Sequence, residues 1–257
     1  MKKIIVLIAF IFIFFSACSN EDSKISEIKE RGELRVGIKT DVPYFGLLNP
    51  DTKEPEGLEI DIAHEIAQNI LGEDIYVTFI PTTAITRENL LKNNEIDFVI
   101  ATFTITEERQ KSMNFSRPYF IDEIGLLVRN NSNINSVADI DGKKIGATFS
   151  STAYNKLEQK PNDLKIDYEL VGAASYPEIA LKLENNEIDA IATDKSILYG
   201  YSTNDNMILD EGFFPQEYGI ATKLENDGFA KLIDKHLKTM EGNGKLEEII
   251  NRWLSSN

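Results

Sequence analysis

Apolar and polar positions along this chain follow two rhythms, and the rhythms alternate. From Leu58 to Leu71 the apolar residues fall at 58, 60, 62, 63, 66, 67, 70 and 71, a stripe at helical spacing. Ile75 to Ile80 then alternates as a strand does, and Phe98 to Ala101 is a short apolar run of the kind that forms a buried strand. The same reading predicts strands over Leu34–Lys39, Ile121–Arg129, Ile166–Val171 and Ala190–Thr193, and another after Gly142. Helices are predicted over 25–30, 86–92, 153–160, 176–183, 196–201, 228–240 and 245–254. Thr40 to Gly46 is a Pro- and Gly-bounded loop with two exposed-looking aromatics, Tyr44 and Phe45, and Asn49 to Gly57 is a polar turn or hairpin. Strands alternating with helices predict α/β units with mostly parallel central sheets.

The pattern occurs twice. Leu91-Lys-Asn-Asn-Glu-Ile-Asp97 is matched by Leu183-Glu-Asn-Asn-Glu-Ile-Asp189, each a helix end, a polar turn and the start of an apolar strand. Gly32-Glu-Leu-Arg-Val-Gly-Ile-Lys39 is matched by Gly142-Lys-Lys-Ile-Gly-Ala-Thr148, each a strand after a glycine turn. The chain therefore reads as two similar halves, with chain crossings near Tyr119–Glu123 and within Pro215–Thr222. Ligands of such folds bind beyond the carboxyl ends of the strands. Lys39, Thr102 and Asp194 sit at strand ends, and Phe149 to Thr152 follows one.

The 257 residues suffice for two modest domains, and 42% hydrophobic with 27% charged residues is an ordinary globular composition. The net charge of -15 leaves no basic stripe for nucleic acid. It also means that an anionic ligand needs a local cluster of cations. Met1-Lys-Lys followed by the apolar Ile4–Phe15 has the form of a leader, too short for a comfortable membrane span. Phe15-Ser-Ala-Cys18 resembles a bacterial lipobox, although Phe15 stands where Leu is usual. Residues 1–17 are thus expected to be a lipoprotein signal peptide, Cys18 the acylated residue, and 18–24 a tether. An ordinary signal peptide or an anchor helix is the alternative. Cys18 is the one cysteine, so an acylated Cys18 leaves no thiol for a disulfide or a metal site.

The candidate chemistry centres on Asp97-Phe-Val-Ile-Ala-Thr-Phe-Thr-Ile-Thr-Glu-Glu-Arg109. Thr106 suits a helix N-cap, and Glu107 and Glu108 suit the positive end of the dipole. Arg109 opposes that dipole, at a cost of a few tenths to about 1 kcal/mol. An anion held jointly by Arg109 and the free N–H groups would offset it; a surface arginine tolerated at a helix start is the plain alternative. His64 and His236 fall in predicted helices without metal-ligand spacing, and no Gly-x-Ser-x-Gly elbow or Cys–His pair is present. No cofactor is expected.

Several of these stretches together resemble the family 3 extracellular solute-binding proteins of polar amino-acid ABC transporters, closest to the aspartate/glutamate-binding subgroup. They are Glu56-Gly-Leu-Glu-Ile-Asp-Ile-Ala63, Thr102–Arg109, Asn114-Phe-Ser-Arg-Pro-Tyr119, Gln216-Glu-Tyr-Gly-Ile-Ala221 and the closing Asn243–Trp253. The resemblance covers nearly all of Ile25–Trp253. It implies a two-lobed periplasmic-binding-protein-like (type II) α/β fold with two hinge crossovers. Lobe 1 would be 25–120 plus 218–257, and lobe 2 would be 121–217. It implies a monomeric receptor, lipid-anchored outside the cytoplasm at a cell surface or in a periplasm, that delivers an amino acid to a membrane permease. Arg109 would take the ligand α-carboxylate with the N–H groups of Thr104 and Thr152. Asp194 would take the α-ammonium with the Thr102 carbonyl and the Thr104 hydroxyl. Tyr44 or Phe45 would line the side-chain region, and Ser151 would add a hydroxyl. Lys39 and Arg87 would hold a distal carboxylate. For Asp194 and Thr152 a helix-cap role, and for Thr102 a plain β-branched strand role, remain open beside these. Glutamine or cysteine/cystine are alternative ligands; a cyclohexadienyl dehydratase-like enzyme or an adhesin is a more distant reading.

Overall fold

A computed structural model describes residues 23–72, 75–159 and 166–255. The leader, Cys18 and most of the tether lie outside the described residues. The chain opens with α1 (Ser23–Arg31), β1 (Glu33–Ile38), β2 (Asp41–Val42), β3 (Gly46–Leu48) and β4 (Pro55–Glu56). The apolar stripe forms α2 (Leu58–Ile66), continued by a π-helical turn, Ala67–Leu71. Then come β5 (Tyr76–Pro81), α3 (Arg87–Lys92), β6 (Phe98–Val99), α4 (Glu107–Gln110) and β7 (Met113–Phe115). The second half contains β8 (Phe120–Arg129), β9 (Lys143–Thr148), α5 (Thr152–Glu158), β10 (Tyr168–Ala173), α6 (Tyr176–Glu184), β11 (Ala190–Asp194), α7 (Lys195–Tyr201), β12 (Asn206–Ile208) and β13 (Phe213–Tyr218). The chain closes with β14 (Ala221–Lys223), α8 (Asp227–Gly242) and α9 (Lys245–Leu254).

Two sheets organise these elements, in the orders β5-β1-β6-β14-β7 and β10-β9-β11-β8-β12, with β13 also on β8; β2, β3 and β4 form a small third sheet. Each large sheet has a parallel half, β5-β1-β6 and β10-β9-β11. The remainder is antiparallel, so the sheets are mixed rather than mostly parallel. The reason lies in the crossings. The chain leaves the first sheet after β7, enters the second as β8, and returns from β13 to β14. Tyr119 donates its N–H to Tyr218 O, and β8 and β13 run antiparallel beyond it, so the two crossings travel side by side.

Helices cover both sheets. Leu34, Val36, Phe98, Ile62 and Phe229 are fully buried in the first lobe, and Ile124, Leu126, Ile145 and Ala190 in the second. One apolar cluster does not respect the division: Tyr176 and Ile197, from α6 and α7, pack with Val42 and Phe45. The facing surfaces of the lobes are therefore partly apolar here.

Candidate functional site

The parallel strands of both sheets end toward the same region. Lys39 follows β1, Thr102 lies three residues beyond β6, Asp194 ends β11, and Ser150–Thr152 follow β9. Two of these turns use left-handed backbone at non-glycine residues, Thr102 at φ 43° and Ser150 at φ 61°. Such conformations are uncommon and collect at functional turns.

Arg109 sits in α4 with its N–H on the Thr106 hydroxyl, so Thr106 is the cap that the sequence predicts. Its guanidinium is buried and turned inward. Nη1 donates to Thr104 O at 2.7 Å and to Thr152 Oγ1 at 3.2 Å, and Nη2 donates to Ser150 O at 3.3 Å. Residues of both lobes thus meet on one side chain. The surface-arginine alternative is excluded by a residue exposure of 7%.

Arg87 is buried as well. Its Nη1 donates to Ala101 O at 2.7 Å, whereas its Nε is buried without a partner. Phe103 carries both cations, with the Arg87 guanidinium 3.9 Å and the Arg109 guanidinium 4.5 Å from its ring centroid. Burial, and after it the neighbouring Arg87 charge, push the Arg109 guanidinium down to about 9. An anion placed between these two groups would relieve that repulsion.

Lys39 is buried rather than exposed. Its Nζ lies 2.8 Å from Asp41 Oδ1 and 4.9 Å from the centre of the Tyr176 ring. Burial lowers its pKa and the Asp41 charge opposes that shift. Asp194 occupies the N-cap position of α7 but makes no side-chain cap bond. Asp122 Oδ2 instead takes the Ser196 N–H at 2.9 Å. Asp194 Oδ2 accepts from Tyr218 Oη at 2.6 Å, and burial, reinforced by Asp122, pushes its carboxyl up to about 7.

Other expected residues have different surroundings. Thr102 donates its N–H to Glu59, and its Oγ1 is buried without a partner. The Thr104 hydroxyl donates to Gln216 Oε1 at 2.8 Å. Ser151 is the cap of α5, accepting the Tyr154 N–H at 3.1 Å, which leaves Thr152 free to face Arg109. Tyr44 is half-buried with φ 68°. Phe45 is a correction: it is fully buried, with Phe120 and Tyr218 edge-on to it at 5.1 and 5.9 Å. It is core rather than an exposed loop aromatic, because β2 and β3 fold the loop down onto the crossing strands.

Sequence reasoning missed Phe103, Tyr176, Tyr218, Gln216, Asp122 and Glu59. One signal was available for Phe103, which stands in opposite phase to three alternating threonines. Asp122 and Glu59 look like ordinary surface acids in sequence, and only the packing distinguishes them.

A cavity of about 1040 Å³ opens between the lobes and is lined by Glu88, Thr104, Arg109, Ser150, Thr152 and Gln216, among others. Lys39, Arg87 and Asp194 do not line it. Among the described residues no cluster of His, Cys, Asp and Glu has the arrangement of a metal site. Chemically, the arrangement offers buried cations, a buried carboxylate and unpaired polar atoms at facing strand ends. Buried polar atoms in native proteins are nearly always partnered, so Arg87 Nε and Thr102 Oγ1 fit a polar guest.

Known proteins share both sequence and fold with this chain. The ABC transporter glutamine-binding protein GlnH of Bacillus subtilis is 36% identical over 99% of this chain and 98% of its own. The glutamate-binding protein GluB of Corynebacterium glutamicum is 29% identical over 88% of this chain and 79% of its own. A crystal structure of a mutant of ArgBP from T. maritima superposes with a TM-score of 0.82 at 27% identity, over 91% of this chain and 100% of that one. The family model of the bacterial extracellular solute-binding proteins, family 3, matches residues 34–256, and this chain belongs to that family.

Proposed function

We propose that this protein is the receptor of an amino-acid ABC transporter and that it closes on an acidic amino acid, glutamate foremost and aspartate next. One observation carries the reading: Lys39, Arg87 and Arg109 are three cations at most 7% exposed, in a chain of net charge -15. Lysine and arginine are almost never buried without compensation, and beyond Asp41 at 2.8 Å from Lys39 and Glu88 at 3.7 Å from Arg109 an anionic ligand would supply it. In this reading Arg109 binds the ligand α-carboxylate and Asp194 the α-ammonium, which leaves Lys39 and Arg87 for a distal carboxylate. Thr104 and Thr152 supply N–H groups beside Arg109. In this reading Ser151 adds a hydroxyl and Tyr44 lines the side-chain region. Arg109 and Asp194 belong to different lobes, so the two ends of a zwitterion are satisfied together only on closure, and binding drives closure by that difference in contacts.

Glutamine is the second reading. Lys39 already has Asp41 beside it, which reduces the positive charge and supplies an acceptor for a carboxamide N–H. The similarity to a glutamine-binding protein favours it too. Calorimetric titration of protein stripped of ligand by unfolding and refolding separates the readings. Tight glutamate binding with glutamine at least tenfold weaker supports the first; the reverse order replaces it by the second. Turnover of prephenate without amino-acid binding would overturn both. Acylation of Cys18 would hold the receptor at an extracytoplasmic membrane face beside its permease; the mass of the mature N-terminal peptide tests it.

A further inference from the structure

Glu59 is fully buried in the first turn of α2 and, like Lys39, Arg87 and Asp194, does not line the cavity between the lobes. One carboxylate oxygen, Oε1, accepts from the Thr102 N–H and from the Tyr119 hydroxyl. The other, Oε2, is buried with no hydrogen-bond partner. The charges acting on it are those of Lys39, from the end of β1, and Arg87, from α3. The other acid of the same helix turn, Asp61, is occupied by Arg252 and Trp253 of α9, and Glu56 by Asn49. Asp41 faces Lys39 rather than Glu59. A buried carboxylate with one empty acceptor, placed behind the two cations proposed for the distal end, adds a negative charge that a distal carboxylate must oppose and a distal carboxamide need not.

We infer that Glu59 is a specificity-determining residue: the protein takes up a proton at Glu59 when it binds glutamate and takes up none there when it binds glutamine. This rests on the site reading above. Ionised, Glu59 offsets one of the cations and favours the neutral side chain. Protonated, it no longer offsets them, and the charge of Arg87 and what Asp41 leaves of the charge of Lys39 go to the anionic one. Burial pushes the Glu59 carboxyl up to about 7, so both forms are accessible near neutrality. The proton has an identifiable place, the unpartnered Oε2.

Asp194 also titrates near 7, and it must be ionised to meet the α-ammonium of either ligand. That effect is common to glutamate and glutamine and cancels in the ratio of their dissociation constants. The experiment therefore measures Kd for both ligands from pH 5.5 to 8.5, with the full protein and with Glu59→Gln. Gln keeps an acceptor for Thr102 and Tyr119. In the wild type the ratio Kd(glutamate)/Kd(glutamine) is expected to rise above pH 7, approaching tenfold per pH unit. In Glu59→Gln the ratio is expected to be flat. Calorimetry of the wild type in two buffers of different ionisation enthalpy needs no variant and should show more proton uptake for glutamate than for glutamine. A flat wild-type ratio with both ligands bound, or a slope retained in Glu59→Gln, overturns the inference while leaving the receptor reading intact. Binding of neither ligand removes the site reading and this inference together.

Discussion

Arg109 concentrates the chemistry of the site in one residue. α4 is a single turn with Arg109 among its last residues, so the dipole cost expected from the sequence does not arise; the cost is burial, and Thr104, Thr152 and Ser150 give its donors somewhere to go. A lysine could keep the charge but could not place parallel N–H donors on a carboxylate. Arg109→Lys is therefore expected to weaken amino-acid binding by roughly 10- to 100-fold, the worth of one charge-assisted hydrogen bond. Isothermal titration reads it; unchanged affinity would remove Arg109 from the α-carboxylate. Asp194 and Glu59 make a second prediction, for stability. Both carboxyls are raised to about 7 by burial, so the folded state holds protons that the unfolded chain releases near pH 4. Their favourable contribution is complete below the unfolded pKa and is lost as pH rises toward 7. The ligand-free protein should accordingly lose stability between pH 4 and 7. Asp194→Asn should be more stable than wild type at pH 8, by on the order of a few kcal/mol, and the gap should close at pH 4. Chemical denaturation at the two pH values checks it. Glu59 and Asp122 were not legible in sequence as site acids, where a carboxylate carries no mark of burial. The strand-end residues were, because periodicity locates strand ends.

The internal repeat explains itself at the scale of elements. In both copies of Asn-Asn-Glu-Ile-Asp the second asparagine, Asn94 or Asn186, takes left-handed backbone, φ 58° and 60°, and ends its helix. The aspartate side chain, Asp97 or Asp189, then accepts the N–H of Arg35 or Lys144 on the neighbouring strand. The isoleucine between them, Ile96 or Ile188, packs on the glycine of that strand, Gly37 or Gly146. Each five-residue copy thus stitches a helix end to a parallel strand pair, so the repetition is structural. A Cβ on Gly146 would stand 2.4 Å from Ile188 Cδ1 and 2.6 Å from Ile179 Cδ1. Gly146→Ala is expected to destabilise the protein by about 1–3 kcal/mol through overpacking. Gly142→Ala meets nothing nearby and should lose only roughly 1 kcal/mol, from its φ of +70°. Equal losses in a denaturant titration would contradict this account. Among the elements that escaped the sequence reading, β7 and β12 are three-residue strands at sheet edges, too short to show a period, whereas the six-residue β13 was read only as a chain crossing. The helices α8 and α9 were plain because each is long enough to repeat its apolar face.

Across the whole molecule, the lobes meet at more than the charged site. Tyr201 donates its hydroxyl to Asp41 O, and Tyr176 and Ile197 join the core cluster that holds Val42 and Phe45. Gly200 of α7 lies so near the loop after β2 that a Cβ there would come within 2.7 Å of Pro43 Cγ. This contact spans the two lobes. A side chain at residue 200 would act as a wedge, and Pro43 sits in a rigid ring that cannot yield far. If binding is coupled to closure, the free energy of opening that contact is subtracted from the affinity. Gly200→Val is expected to weaken amino-acid binding by about tenfold or more, corresponding to ~1.4 kcal/mol. Glycine is the poorer helix former of the two, so ligand-free stability should be unchanged or slightly improved. Titration and thermal denaturation of the same sample separate the two effects. Lost affinity with kept stability would mean that α7 and the Pro43 loop approach each other as part of binding. Lost stability with kept affinity would mean that they are packed against each other at all times, and that the moving surfaces lie elsewhere.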